Sequence, residues 1–154
     1  MIKLVRTNSE NTDFINLVKD LDAFLKITDG DEHEFYNQYN HIDVIKHTVV
    51  AYLNNQPVGC GALKPFDSDC IEIKRMFTKA NARGNGIATK ILQELEIWAK
   101  ELNYKSCILE TGIKQIEAIG LYKKNNYLLM HNYGQYKNVI NSLEVGGGTD
   151  IESG

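Results

Sequence analysis

Arg83-Gly84-Asn85-Gly86-Ile87-Ala88-Thr89 decides the fold because of what stands on either side of it. Before it, Cys70-Ile71-Glu72-Ile73-Lys74-Arg75-Met76-Phe77-Thr78 alternates as a strand does. That places Ile71, Ile73 and Arg75 on one face and Glu72, Lys74 and Met76 on the other. After it, Ile87, Ile91, Leu95, Trp98 and Leu102 recur at helical spacing, with Leu92 and Ala99 widening the stripe. A helix starting straight after a glycine turn leaves its first backbone N–H groups without intrahelical partners. With the helix dipole these form an anion site. Gly84 and Gly86 let backbone approach a ligand with no Cβ in the way, Asn85 tolerates turn geometry, and Arg83 can add charge to the rim. The expected guest is a phosphate or pyrophosphate. The Walker frame fails, since no glycine precedes Gly84 at the required distance. The dinucleotide G-x-G-x-x-G frame fails too, because Thr89 fills its last slot and hairpins precede it. Taken alone, the loop can equally serve only to turn the chain into a helix.

Working outward, residues 2–6 read as a first strand. Phe14, Leu17, Val18, Leu21, Phe24 and Leu25 predict an amphipathic helix over 10–26, with Ser9 as its N-cap. Residues 32–40 read as a short helix or irregular segment. Residues 48–53 and 58–63 read as strands joined by the turn Asn54-Asn55-Gln56-Pro57. Downstream, 106–110 is a strand, 115–124 a helix, 127–130 a strand and 139–145 a final strand. Residues 146–154, rich in glycine and polar, are expected to be a flexible tail after a single domain over 1–145.

Composition bounds the function. A chain of 154 residues fits one domain, and 43% hydrophobic with 24% charged residues is globular usage. The net charge of -3 gives no electrostatic case for nucleic acid. Cys60, Cys70 and Cys107 are scattered, without metal spacing, and read as free thiols in a reducing compartment. His33, His41, His47 and His131 show no metal pattern. No stretch is apolar for long enough to span a membrane and no signal peptide opens the chain, so a cytoplasmic protein is expected.

Arg83-x-x-Gly86-x-Ala88 resembles the R/Q-x-x-G-x-G/A pyrophosphate loop of the Gcn5-related N-acetyltransferase (GNAT) superfamily. Leu109-Glu110-Thr111-Gly112 followed by Glu117-Ala118-Ile119-Gly120-Leu121-Tyr122 up to Asn126-Tyr127 resembles its second motif, E-A-x-x-L-Y-x-x-x-G-[FY]. Asn126 replaces the usual glycine, a minor departure because Asn accepts left-handed geometry. The resemblance implies an α/β (α+β) fold: a mixed, mostly antiparallel sheet flanked by helices, in the order β-α-α-β-β-β-α-β-α-β-β. It implies acetyl-CoA as cosubstrate, held where strands 70–78 and 106–111 splay apart. The pantetheine arm would pair with backbone at Met76, Phe77 and Thr78. The pyrophosphate would rest on Arg83, Gly84, Asn85, Gly86, Ile87, Ala88 and Thr89, and a backbone N–H near Phe77 would hold the developing oxyanion. Tyr122 aligns with the tyrosine that protonates the departing thiolate, although a tyrosine there can also merely pack its helix. Glu72 is the candidate base, directly or through water, with a carboxylate paired to Lys74 or Lys105 as the alternative; Glu110 ranks behind it. Cys60, between two glycines on an apolar strand, reads as core.

Acceptor specificity in the superfamily implies residues 29–41 and 131–138. There Tyr36, Tyr39, Tyr133 and Tyr136, beside Asp29, Asp31, Glu32 and Glu34, would suit a cationic amine; a solvated acidic loop is the alternative. His41 is a further candidate contact. The expected partner is a small-molecule or peptide amine, with a homodimer through a sheet edge left open. Two rival functions stand beside the transferase: a non-catalytic acyl-CoA sensor on the same fold, and an ATP-binding protein using the same loop.

Overall fold

The structure, a computed structural model, describes residues 1–29, 44–111, 116–130 and 146–150. Four strands form an antiparallel meander: β1 (Ile2–Thr7), β2 (His47–Leu53), β3 (Gln56–Pro65) and β4 (Cys70–Thr78). Helix α1 (Thr12–Asp29) links β1 to the rest of the meander. Asn54 and Asn55, at φ 52° and 67°, form the two-residue turn between β2 and β3, as a tight hairpin requires. Helix α2 (Ile87–Glu101) carries the chain from β4 to β5 (Ser106–Leu109), which lies parallel to β4. Helix α3 (Ile116–Lys124) leads to β6 (Leu128–Met130). The final strand, β7 (Gly146–Asp150), inserts between β5 and β6 to give the sheet order β1-β2-β3-β4-β5-β7-β6. The sheet is mixed and mostly antiparallel, as expected.

A core lies on each face of the sheet. Ile71, Ile73, Leu63 and Val49 pack against Ile87, Ile91, Leu92 and Leu95 of α2. Phe14, Leu17 and Val18 of α1 pack against Val50, Cys60 and Ala62 on the other face. Gly59 and Gly61 bring α2 down onto β3. A Cβ on Gly61 would stand 2.6 Å from Met76 Sδ and 2.8 Å from Leu95 Cδ1, distances that packed side chains do not accommodate.

Several expectations are corrected. Asn11, not Ser9, caps α1: its Oδ1 accepts the Phe14 N–H at 2.9 Å. Ser9 is instead buried against Ile45, whose N–H it accepts at 2.9 Å. The strict alternation read for β4 fails at Arg75. Cys60 pairs with Phe77 and Ala62 with Lys74, so Gly61 stands opposite both Arg75 and Met76, with Arg75 at φ 59°. This bulge flips the remaining side chains. Met76 therefore joins Ile71 and Ile73 on the α2 face, and Phe77 turns to the α1 face. The glycines assigned to a flexible tail form β7 over Gly146–Asp150, because a ladder needs only backbone N–H and C=O groups, which glycine supplies. The helix read at 32–40 and the strand read at 139–145 lie outside the described residues.

Candidate active site

The site starts from an interrupted ladder. β4 and β5 pair at Cys70↔Ser106, Ile71↔Cys107 and Glu72↔Ile108, and no further. Among the described residues, β4 runs on to Thr78 paired only with β3. Its other edge, beyond Glu72, faces a cleft of about 370 Å³. Glu72, Met76, Phe77, Thr78, Arg83, Gly84, Gly86, Ile87, Ala88, Thr89 and Tyr122 all line this cleft. Residues on three separate elements, expected to act together, thus share one wall.

The glycine loop lines part of this cleft. Gly84 and Gly86 take φ 88° and 72°, and Gly86 is the N-cap of α2. The first intrahelical bond runs from Lys90 N–H to Gly86 O, leaving the N–H groups of Ile87, Ala88 and Thr89 without helical partners. A Cβ on Gly84 or Gly86 would meet nothing within 4 Å, so the loop borders open space that a side chain would fill. Asn85 is absent from the lining; its amide braces the loop by donating to Ala82 O at 2.9 Å. Arg83 sits on the rim but is engaged there. Its Nη1 meets Glu117 Oε2 at 3.0 Å, its Nε donates to Thr78 O at 3.3 Å, and its guanidinium lies 5.2 Å from the Phe24 ring centre. This bridge joins α1, the loop and α3 across the cleft mouth. Glu117 is 80% exposed, so the ion pair contributes little by itself.

The same cleft is lined by the groups expected to move protons, Tyr122 and Glu72. Tyr122 is buried in an edge-to-face contact with Tyr127 at 5.6 Å. Tyr127 donates its hydroxyl to Glu96 at 2.7 Å. The Tyr122 hydroxyl makes no hydrogen bond to another described residue, and its ring lines the cleft. Burial pushes this phenol above its ordinary value, so it carries its proton at neutral pH. Thr78 Oγ1 is likewise buried without a hydrogen-bond partner among the described residues. Glu72 and Lys74 face each other at 4.0 Å, with Glu110 on the same wall. Burial lowers the Lys74 pKa, and Glu72 pulls it back up. Cys60 is core, as read: its thiol donates to Arg75 O at 3.3 Å, and burial pushes it up to about 12.

Tyr36, Tyr39 and Tyr133 lie outside the described residues. Sequence reasoning missed Lys74 and Arg75 as cleft residues, and Phe24 as the aromatic under Arg83. Lys74 was legible in principle, since alternation puts it beside Glu72. Arg75 was not, because the bulge that turns it leaves no pattern of its own. Among the described residues no cluster of metal-ligating side chains occurs, and no helix is long and apolar enough to cross a membrane.

Comparison with known proteins bears on the fold and the family. A protein of Klebsiella pneumoniae described as an acyl-CoA N-acyltransferase superposes with a TM-score of 0.80 at 26% identity, covering 98% of both chains. A GNAT family acetyltransferase of Elizabethkingia anophelis, solved with acetyl-CoA bound, shares the fold at a TM-score of 0.67 and 20% identity, covering 97% of both chains. The IAA acetyltransferase of Azospirillum brasilense is 34% identical over 89 residues, which cover 57% of this chain and 58% of that protein. The matched stretch spans little more than half the length of that relative. Residues 14–127 match the acetyltransferase (GNAT) family, which takes in both the glycine loop and the Tyr122 motif, and the chain belongs to that family.

Proposed function

We propose that the protein is an N-acetyltransferase that moves an acetyl group from acetyl-CoA to a primary amine by direct attack in a ternary complex. One observation carries the reading: a single cleft is lined by the glycine loop and first turn of α2, by the Glu72 carboxylate and by the proton-bearing phenol of Tyr122. The donor's parts fit what the cleft offers. Its pyrophosphate suits the free N–H groups of Ile87, Ala88 and Thr89 beside Gly84 and Gly86. Its pantetheine arm suits the open edge of β4 at Met76, Phe77 and Thr78, where Thr78 Oγ1 awaits a partner.

Acetyl-CoA supplies the thioester carbonyl; the chain supplies position and protons. An amine attacks only through its free lone pair, so a base must first take its proton. Glu72 lines the cleft where the β4–β5 ladder ends, which supports reading it as that base, acting directly or through water. A backbone N–H of the opened strand near Phe77 can hold the carbonyl oxygen as it gathers charge. Tyr122 then delivers its proton to the leaving sulfur.

The first test is thermal. Acetyl-CoA should raise the melting temperature and ATP should not, since only a ligand bound by the native state stabilises it. The second is thiol release across an amine panel. Coenzyme binding with no release from any amine would overturn the transferase reading in favour of an acyl-CoA sensor.

A further inference from the structure

The reacting end of the cleft carries a charge that donor binding does not require. Lys74 sits two residues beyond the last β4–β5 pair, and its side chain is only 14% exposed. The nearest acid is Glu72, itself 15% exposed, at 4.0 Å, which is too long for a hydrogen bond. No described residue accepts a hydrogen bond from this ammonium. Lys74 lines the cleft with most of its side chain buried, where a charge-assisted hydrogen bond is stronger than in open water, so a ligand oxygen is favoured there. Arg75, next in the chain, adds a second cation to the same wall, and Glu110 a second carboxylate. The wall therefore presents both signs of charge within a few ångströms, where an amine alone would call for one.

From this juxtaposition we propose that the acceptor is an α-amino acid, its carboxylate held by Lys74 while its amine faces Glu72. The proposal rests on the transferase reading above and narrows its substrate class. Charge-assisted hydrogen bonds run about 2.8 Å. A carboxylate oxygen at that distance from Lys74 Nζ and an amine nitrogen at that distance from Glu72 Oε1 can stand about 2.7 Å apart across the 4.0 Å gap. Standard N–Cα and Cα–C lengths set an amino acid's nitrogen and its nearer carboxylate oxygen at about that separation. Charges then alternate around a closed four-membered square: Glu72, amine, carboxylate, Lys74. A simple amine would fill one corner and leave the lysine as it stands now.

The test is thiol release with acetyl-CoA on matched acceptors: phenylalanine, phenylalaninamide and phenethylamine, then leucine, leucinamide and isoamylamine. The wild type should favour each amino acid over its two carboxylate-free analogues by about 100-fold in kcat/KM, as a lost charge-assisted hydrogen bond in a desolvated site implies. Lys74→Met should erase that preference, bringing each amino acid and its two analogues to within about threefold of one another, with the acetyl-CoA thermal shift intact. A wild type that prefers the amines or amides overturns the proposal while leaving the transferase reading standing. So does a Lys74→Met loss shared equally by all three members of a set. No release from any acceptor, with acetyl-CoA bound, overturns the transferase reading and this proposal together.

Discussion

Replacing Gly86 separates two roles that usually fall together, holding the backbone and leaving room for a ligand. Gly86 takes φ 72° with no heavy atom within 4 Å of where a Cβ would stand. Gly86→Ala therefore brings strain without a clash, about 1–2 kcal/mol for a left-handed alanine. A chain of this size loses about 2–4 °C per kcal/mol, so the melting temperature should fall by roughly 2–8 °C. Gly86→Asn should cost less, since asparagine accepts this conformation and Asn54, Asn55, Asn103 and Asn126 already adopt it here. Both side chains nonetheless enter the space beside the N–H groups of Ile87, Ala88 and Thr89. Pushing a pyrophosphate back by about a methyl's width breaks one or two charge-assisted hydrogen bonds, on the order of 100-fold in affinity. With acetyl-CoA at about 100 times the wild-type Kd, the wild type gains about 2.7 kcal/mol, or roughly 5–11 °C. A variant weakened 100-fold gains about 0.4 kcal/mol, or roughly 1 °C. Melting curves with and without acetyl-CoA read both quantities. An asparagine variant that melts like the wild type and still shows the full ligand shift would refute the reasoning, because the cradle would then lie elsewhere.

Other outcomes follow from the same geometry. Tyr122→Phe should lower kcat by about 10²–10⁴-fold. Its melting temperature and acetyl-CoA shift should hardly move, because no described residue would lose a hydrogen bond. Gly61→Ala should destabilise by about 1–3 kcal/mol, seen as a lower urea midpoint, because its Cβ would meet Met76, Leu95 and Ile91 under 3 Å away. Glu72→Gln should remove the acidic limb of the pH–rate profile; an unchanged limb and rate would assign the base elsewhere. His47 packs edge-on against Trp98 at 4.8 Å, and burial, then Lys46, holds its pKa below the ordinary value. The unfolded chain thus binds the proton first, so this histidine costs stability as pH falls below about 6.5. His47→Gln should shrink the drop in melting temperature between pH 7.5 and 5.5.

The parts of the fold and site that could be read from the sequence are those whose cause is local. The α2 stripe, the positive φ of Gly84, Gly86 and Asn126, and the Asn54-Asn55 turn each need only neighbouring residues to explain them. What escaped depends on contacts between distant segments. Ser9 looked like a cap because serine is a good one, but Ile45, 36 residues away, claims its hydroxyl. The bulge at Arg75 arises from pairing with β3, where Gly61 leaves room for Met76 Sδ, and no periodicity within β4 announces it. Lys74 matters because β5 stops pairing before reaching it, which is a property of two strands and not of one. The glycines of β7 read as tail because strand propensity scores side chains, while a ladder between β5 and β6 is built from backbone.

The early end of the β4–β5 ladder also has a cost outside catalysis. It leaves, in the middle of a sheet, the kind of open edge that proteins usually confine to the rim and guard there. Such an edge offers unpaired backbone groups to any extended chain that reaches it. The donor would then act as a plug as well as a reactant. Amide exchange along the far half of β4 would slow on loading, and the loaded protein would resist aggregation on mild heating better than its added thermal stability alone explains.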